Sequence, residues 1–234
     1  MRKVIELLKV YLLDTLRKWT NLLFGVLMML AVLAITGFVL NQGTTAEIVA
    51  SYSAFIVSYA AVSAVAYSIT GEKEKGLYRM YRSSKLSKEN YVIEKVIMAS
   101  LPLILSALII GIGVAVSDVV LSRLIAPILV LCVLSHAGIG LIFAAYFETH
   151  EDMQKIITLF LIGTMFLAPV FYTTEGLPNI VQLAQNIVPL TYGVESMREV
   201  MVQGSNLGSI WKDMTMLSVL SVLTMSLGYR KLEF

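Results

Sequence analysis

Six apolar runs, each close to the length that crosses ~30 Å of hydrocarbon, constrain this chain more than any other feature. They are Leu22–Leu40, Ile48–Ile69, Val96–Val116, Leu124–Tyr146, Ile156–Phe171 and Ile210–Leu227. The first alone holds a dozen Leu, Ile, Val and Phe residues, favouring insertion by roughly 4 to 7 kcal/mol. With 57% hydrophobic and only 15% charged residues, a soluble domain of this size could not cover its surface. The runs are continuous rather than alternating in polarity, which excludes a β-barrel. The expected class is an all-α integral membrane protein with six transmembrane helices. The fifth run is short, and its helix is expected to begin earlier or to tilt little.

The stretch MRKVIELLKVYLLDTLRKWT precedes the first run. At 100° per residue Ile5, Leu8, Leu12, Leu16 and Trp19 share one side, and Arg2, Lys3, Glu6, Lys9, Asp14 and Arg17 share the other. That pattern predicts an amphipathic helix over residues 1–20, lying in the interface with its basic side on anionic headgroups. Glu6 and Asp14 argue against a signal peptide.

Lysine and arginine placement sets the expected orientation. If the N-terminus is cytoplasmic, 15 of the 18 Lys and Arg residues fall on inner segments, leaving Arg123, Arg198 and Lys212 outside. By the positive-inside rule both termini are cytoplasmic, as is the polar insert between the second and third runs. A net charge of +2 gives no reason to expect nucleic acid.

The runs carry little chemistry. None has a clear interior Asp, Glu, Lys or Arg to bind a coupling ion. HExxH, GxSxG and a carboxylate pair within the lipid are all missing. Cys132 and His136 are four residues apart, but a metal site wants about four ligands. His136 is instead expected to bond to a neighbouring helix beside Ser135, Gly138 and Gly140, whose small side chains let backbones approach. A chain without a catalytic, metal or cofactor site of its own is passive, structural or driven by a partner.

The insert GEKEKGLYRMYRSSKLSKENYVIEK, Gly71 to Lys95, is the most polar stretch. Its G-x4-G spacing is not a P-loop, because Leu77 and Tyr78 stand where Lys and Ser/Thr are needed. Nor is it a slack linker, since Glu72–Arg82 is mostly good helix formers. About eleven helical residues rise only ~16 Å, too little to cross, so the helix is expected beneath the bilayer. Leu77, Met80 and Tyr81 would face the membrane protein, and Glu72 and Glu74 would face water. Ser83-Ser84 would break the helix, and Ser87 would cap the next one.

This run resembles the segment after the second span of ABC type-2 transporter permeases, through Glu72, Glu74, Gly76, Leu86, Ser87 and Lys95. It departs from the pattern in having Lys85 for a Pro and Glu94 for a Gly. A second resemblance lies in APVFYTTEGLPNIVQLAQNIVPLTYGVESMREV, through Pro169, Phe171, Tyr172, Leu177, Pro178, Pro189, Tyr192 and Arg198. The residues themselves predict two short helices there, one with Pro178 in its first turn and one from Leu190 to about Gln203, stopped by Gly204. Both are too short to span and are expected to re-enter the outer leaflet, within an extracellular segment 173–208.

The second run carries Tyr52, Tyr59, Ser63 and Tyr67 within roughly 80° of arc, either a subunit contact or the wall of a path. In the resembled family the second and fifth spans line the route, which adds Thr158, Thr164, Met165 and Phe166. The resemblance implies a single transmembrane domain over 1–234 acting as the permease of an ATP-driven exporter in a prokaryotic cell (inner) membrane. A second permease subunit and separate cytosolic ABC ATPases would be its partners. Coupling would run through segment 71–95, chiefly Glu72, Lys73, Glu74, Lys75, Gly76, Tyr78 and Arg79. Cargo would leave past Pro169, Tyr172, Pro178, Pro189 and Tyr192. No cofactor is expected on this chain, with ATP and Mg on the partner ATPase. A scaffold recruiting a soluble partner through the same insert is the alternative, and a self-powered ion-coupled carrier a third.

Overall fold

A chain crossing lipid must satisfy its backbone N–H and C=O groups internally, and helices dominate the computed structural model of the protein. It describes residues 45–83, 86–116, 118–170 and 178–233. In chain order its helices are α1 (Thr45–Glu74), α2 (Leu77–Ser83), α3 (Lys88–Ala99), α4 (Leu103–Val116), α5 (Ile125–Tyr146), α6 (His150–Leu167), α7 (Asn179–Gln185), α8 (Pro189–Gln203) and α9 (Leu207–Lys231). No strand occurs among the described residues. The expected interfacial helix, the first run Leu22–Leu40, and Tyr172 lie outside them.

Among the described residues four helices are long and apolar enough to cross a membrane: Thr45–Glu74, Lys88–Ala115, Ile125–Tyr146 and Leu207–Lys231. They contain the second, third, fourth and sixth runs. The third is interrupted between α3 and α4, where Pro102 has no N–H to donate and Ser100 Oγ donates to the Ile97 carbonyl at 2.6 Å. The fifth run falls in α6, which begins earlier than Ile156 because Thr149 caps it, accepting from Asp152 N at 3.2 Å. Its polar opening, His150 to Lys155, keeps α6 from matching the other four in apolarity.

The packing centres on α5, which lies between α1 and α9. Close approach is possible because the helix presents glycine in both directions. A Cβ on Gly140 would stand 2.7 Å from the Val62 carbonyl oxygen of α1, and one on Gly138 would stand 2.5 Å from Met225 N of α9. Across the second contact Thr224 Oγ1 donates to the Ser135 carbonyl at 2.9 Å and Ser221 Oγ to the Leu131 carbonyl at 3.1 Å. His136 differs from expectation. Its Nδ1 lies 2.9 Å from the Cys132 carbonyl one turn back on its own helix, so the interhelical bonds come from α9 hydroxyls.

Helix α8 packs on α1, α5 and α9, and ten of its 15 residues are buried. Pro189 occupies its first turn, and Gly204 ends it in the left-handed conformation at φ 65°. Pro178 is the N-cap residue of α7 rather than part of its first turn. In α7 the apolar Ile180 and Leu183 point outward while Gln185 is buried, an arrangement suited to a surface wetted by lipid rather than water.

Candidate functional site

Thirty helical residues rise about 44 Å, so α1 outruns the ~30 Å hydrocarbon thickness. Its last turn carries Glu72, Lys73 and Glu74. The expected eleven-residue helix over Glu72–Arg82 is therefore two pieces: the end of α1 and the seven-residue α2. Gly76 makes the corner. At φ 72° it adopts the left-handed conformation, and its N–H donates to the Lys73 carbonyl at 3.0 Å, closing α1 as glycine commonly does. Ser87 then caps α3 as expected, accepting from Asn90 N at 3.3 Å.

The corner is anchored by charge. Lys95, only 1% exposed, reaches back from α3 to Glu72 Oε1 at 2.5 Å, Ser68 Oγ at 2.9 Å and Glu94 Oε2 at 3.2 Å. Tyr91 donates to the other Glu72 oxygen at 2.5 Å, and its ring lies 4.8 Å from Lys95 Nζ. The rings of Tyr78 and Tyr81 from α2 pack against Tyr91 with centroids 5.8 and 6.1 Å away. An ammonium out of water costs several kcal/mol unless it is paired and hydrogen-bonded, and here carboxylates, a hydroxyl and an aromatic face together supply its partners.

The geometry corrects the expected exposure. Glu72 does not face water: its side chain is 17% exposed and engaged by Lys95 and Tyr91. Tyr78, not Met80, is the residue of α2 turned inward, at 6% against 55% exposure. Its hydroxyl donates to the Glu233 carbonyl, tying α2 to the segment after α9. Burial pushes its pKa up to about 12, with Arg82 opposing and Glu233 adding to the rise, so it stays a neutral donor. Lys73 Nζ donates to the Ala144 carbonyl at 2.6 Å, at the end of α5. Glu74 is exposed and accepts from His150 N, the first residue of α6, at 2.5 Å. Lys75, Gly76 and Arg79 are exposed. The corner thus touches α3, α5, α6 and the segment after α9 while presenting a small charged surface.

The expected path residues do not converge in one cleft. Tyr52 is buried, Tyr59 stacks on Phe55 at 6.4 Å, and Ser63 Oγ is buried without a hydrogen-bond partner among the described residues. On α6, Thr158 and Phe166 face outward, Phe166 at 74% exposure, and Thr158 lines a surface groove of about 470 Å³ with Lys155 and Ile162. Thr164 is buried and donates to the Phe160 carbonyl at 2.9 Å, so it faces away from those two. Of the exit residues, Pro169 and Pro189 are buried, Pro178 is exposed, and Tyr192 donates to the Asn186 carbonyl at 2.8 Å.

On α8 the sequence offered Arg198 only as a family match and passed over Glu195. Arg198 donates from Nε to Ser51 Oγ of α1 at 2.7 Å and from Nη2 to the Val170 carbonyl at 3.1 Å. Burial and the Asp213 carboxylate push neighbouring Glu195 up from 4.5 to about 7, with Arg198 opposing. Because the folded state binds this proton more tightly than the unfolded one, the contribution is full below about 4.5 and is lost as pH rises through about 7. Glu195→Gln is accordingly expected to flatten the pH dependence of thermal stability between those values. An unchanged pH profile would contradict this environment for Glu195.

Lipid-length helices joined at one end by a small charged corner, itself built into the helical body, define a multi-pass membrane protein. The chain belongs to the ABC-2 type transporter family, whose profile matches residues 2–202, and it is the membrane component of an ABC transporter. No curated protein matches it.

Proposed function

We propose that this chain is the permease subunit of an ATP-driven exporter and that force from a separate cytosolic ATPase enters at the Gly76 corner. The reading rests on the Glu72–Lys95 anchor. A push on a free surface helix would dissipate in the loop, whereas a push on α2 meets α1 and α3 through a desolvated ion pair. Exposed Glu74, Lys75 and Arg79 supply the docking charges, and Tyr78 holds α2 on the bundle. In this reading the corner and both termini are cytoplasmic, and six spans include Leu22–Leu40 and α6. Two permease subunits, identical or related, enclose a path flanked by α1 and α6. Its lining would include Tyr59, Thr158 and Phe166, with Tyr52, Ser63 and Thr164 supporting from behind. The α7–α8 pair re-enters the outer leaflet at the exit, near Pro169, Tyr172, Pro178, Pro189 and Tyr192. The cell membrane of a prokaryote is the expected setting, with ATP and Mg held by the ATPase and an amphiphilic or hydrophobic molecule as cargo.

The test is a charge reversal confined to exposed side chains that bond to no other described helix, Lys75→Glu with Arg79→Glu. Surface changes of this kind typically move stability by no more than about 0.5 kcal/mol, whereas interfacial charge pairs are worth about 1.5–7 kcal/mol. The variant should fold normally yet lose co-purification with its ATPase and stimulation of ATP turnover. Full stimulation by the folded variant would refute docking at this corner.

A further inference from the structure

Between α4 and the start of α5 the bundle opens. Helix α4 packs on α1 rather than closing against α5, leaving a groove of about 520 Å³. Its walls are apolar: Ala107, Ile110 and Val114 on one side, Ala126 and Leu129 on the other. From Leu103 to Val114 it follows α4 for about 16 Å, half of the ~30 Å hydrocarbon thickness. At the end near Val114 stand Ser122 and Arg123. Arg123 is exposed and forms no ion pair with any described residue, and Asp118 of the same connection does not line the groove.

We infer that this groove binds one membrane phospholipid, an acyl chain lying between α4 and α5 and an anionic headgroup meeting Arg123. Three features select that occupant over a second protein helix or a soluble ligand. The groove is one leaflet deep, its lining offers no polar partner below the mouth except Ser106, and its cation is planar and able to hold phosphate through two parallel N–H donors. Ser106 Oγ is already committed, donating to the Leu103 carbonyl at 2.8 Å. Under the orientation proposed above, the lipid belongs to the outer leaflet. The inference does not require ATPase coupling and stands or falls separately from it.

The experiment is native mass spectrometry of the purified full chain, delipidated and then titrated with phosphatidylglycerol and phosphatidylcholine. A basic residue at the membrane surface contributes about 1 kcal/mol toward an anionic lipid, so Arg123→Gln should lower the preference for phosphatidylglycerol about fivefold. Arg123→Lys, which keeps the charge but not the paired donors, should fall between Arg123→Gln and the unchanged chain. Ala107→Phe and Ala126→Phe, both at exposed positions and so without cost to folding, should fill the groove and remove the tightest-bound lipid of either kind. Preference surviving Arg123→Gln, or undiminished lipid retention in both phenylalanine variants, would overturn the proposal.

Discussion

Lys95→Met is expected to cost about 3–5 kcal/mol of stability, because removing one member of a buried ion pair leaves the other charged and unpaired. Here the stranded groups are Glu72, still hydrogen-bonded by Tyr91, and Glu94, itself buried. Methionine preserves much of the stem's packing, so the loss reports the missing ammonium rather than a cavity. Glu72→Gln in the same chain should restore part of it. A double-mutant cycle is expected to show a coupling of about 0.5–3 kcal/mol, the range for residues in one network. Denaturation of the purified chain in mild detergent measures all four corners of the cycle. Strict additivity would mean that the contact between α1 and α3 does not anchor the corner. The cycle has a second readout in ATPase stimulation, which by the proposed mechanism should fall further than stability alone predicts.

Gly138→Val should be comparably damaging for a different reason. Even its Cβ would meet backbone, at 2.5 Å from Met225 N and 2.6 Å from the Thr224 carbonyl carbon, and no rotamer change relieves a backbone clash. Helices α5 and α9 must part. Overpacking of this kind costs about 1–3 kcal/mol. The hydrogen bonds from Thr224 and Ser221 across the same contact, worth about 0.6 kcal/mol each in membrane proteins, would weaken with it. Gly163→Ala on α6, where a Cβ meets nothing within 4 Å, is the matched control and should be neutral or slightly stabilising. Equal thermal stability of Gly138→Val and Gly163→Ala would show that the α5–α9 seam tolerates separation.

Both predictions involve contacts that periodicity could not supply. Glu72 and Lys95 each stood out in the insert, but as separate positions, and Glu72 was expected to face water. Their pairing becomes visible only when α3 folds back along α1 and carries Lys95 to Ser68 and Glu72. A signal was present: a lysine followed at once by Val96, Ile97 and Met98 is desolvated by any helix that continues into lipid, and must find a carboxylate. Helix α2 shows the same limit. Seven residues make too few turns for an amphipathic pattern to choose a face, so Tyr78 rather than Met80 turns inward because of the Tyr91 ring beside it. On α6 the order of residues placed Thr158, Thr164 and Phe166 on one helix, but Thr164 points the other way.

What the amino-acid order determined by itself was local: helices of membrane length, the Ser87 cap, proline at the head of α8, and the glycine stop at Gly204. These depend on transfer to hydrocarbon and on backbone dihedral preference, both properties of a residue and its near neighbours. The tertiary structure alone decided which charges are buried together, which glycine receives which neighbouring helix, and where the bundle stays open for lipid. Such outcomes depend on distances between segments far apart in the chain, and those distances exist only once the helices have packed.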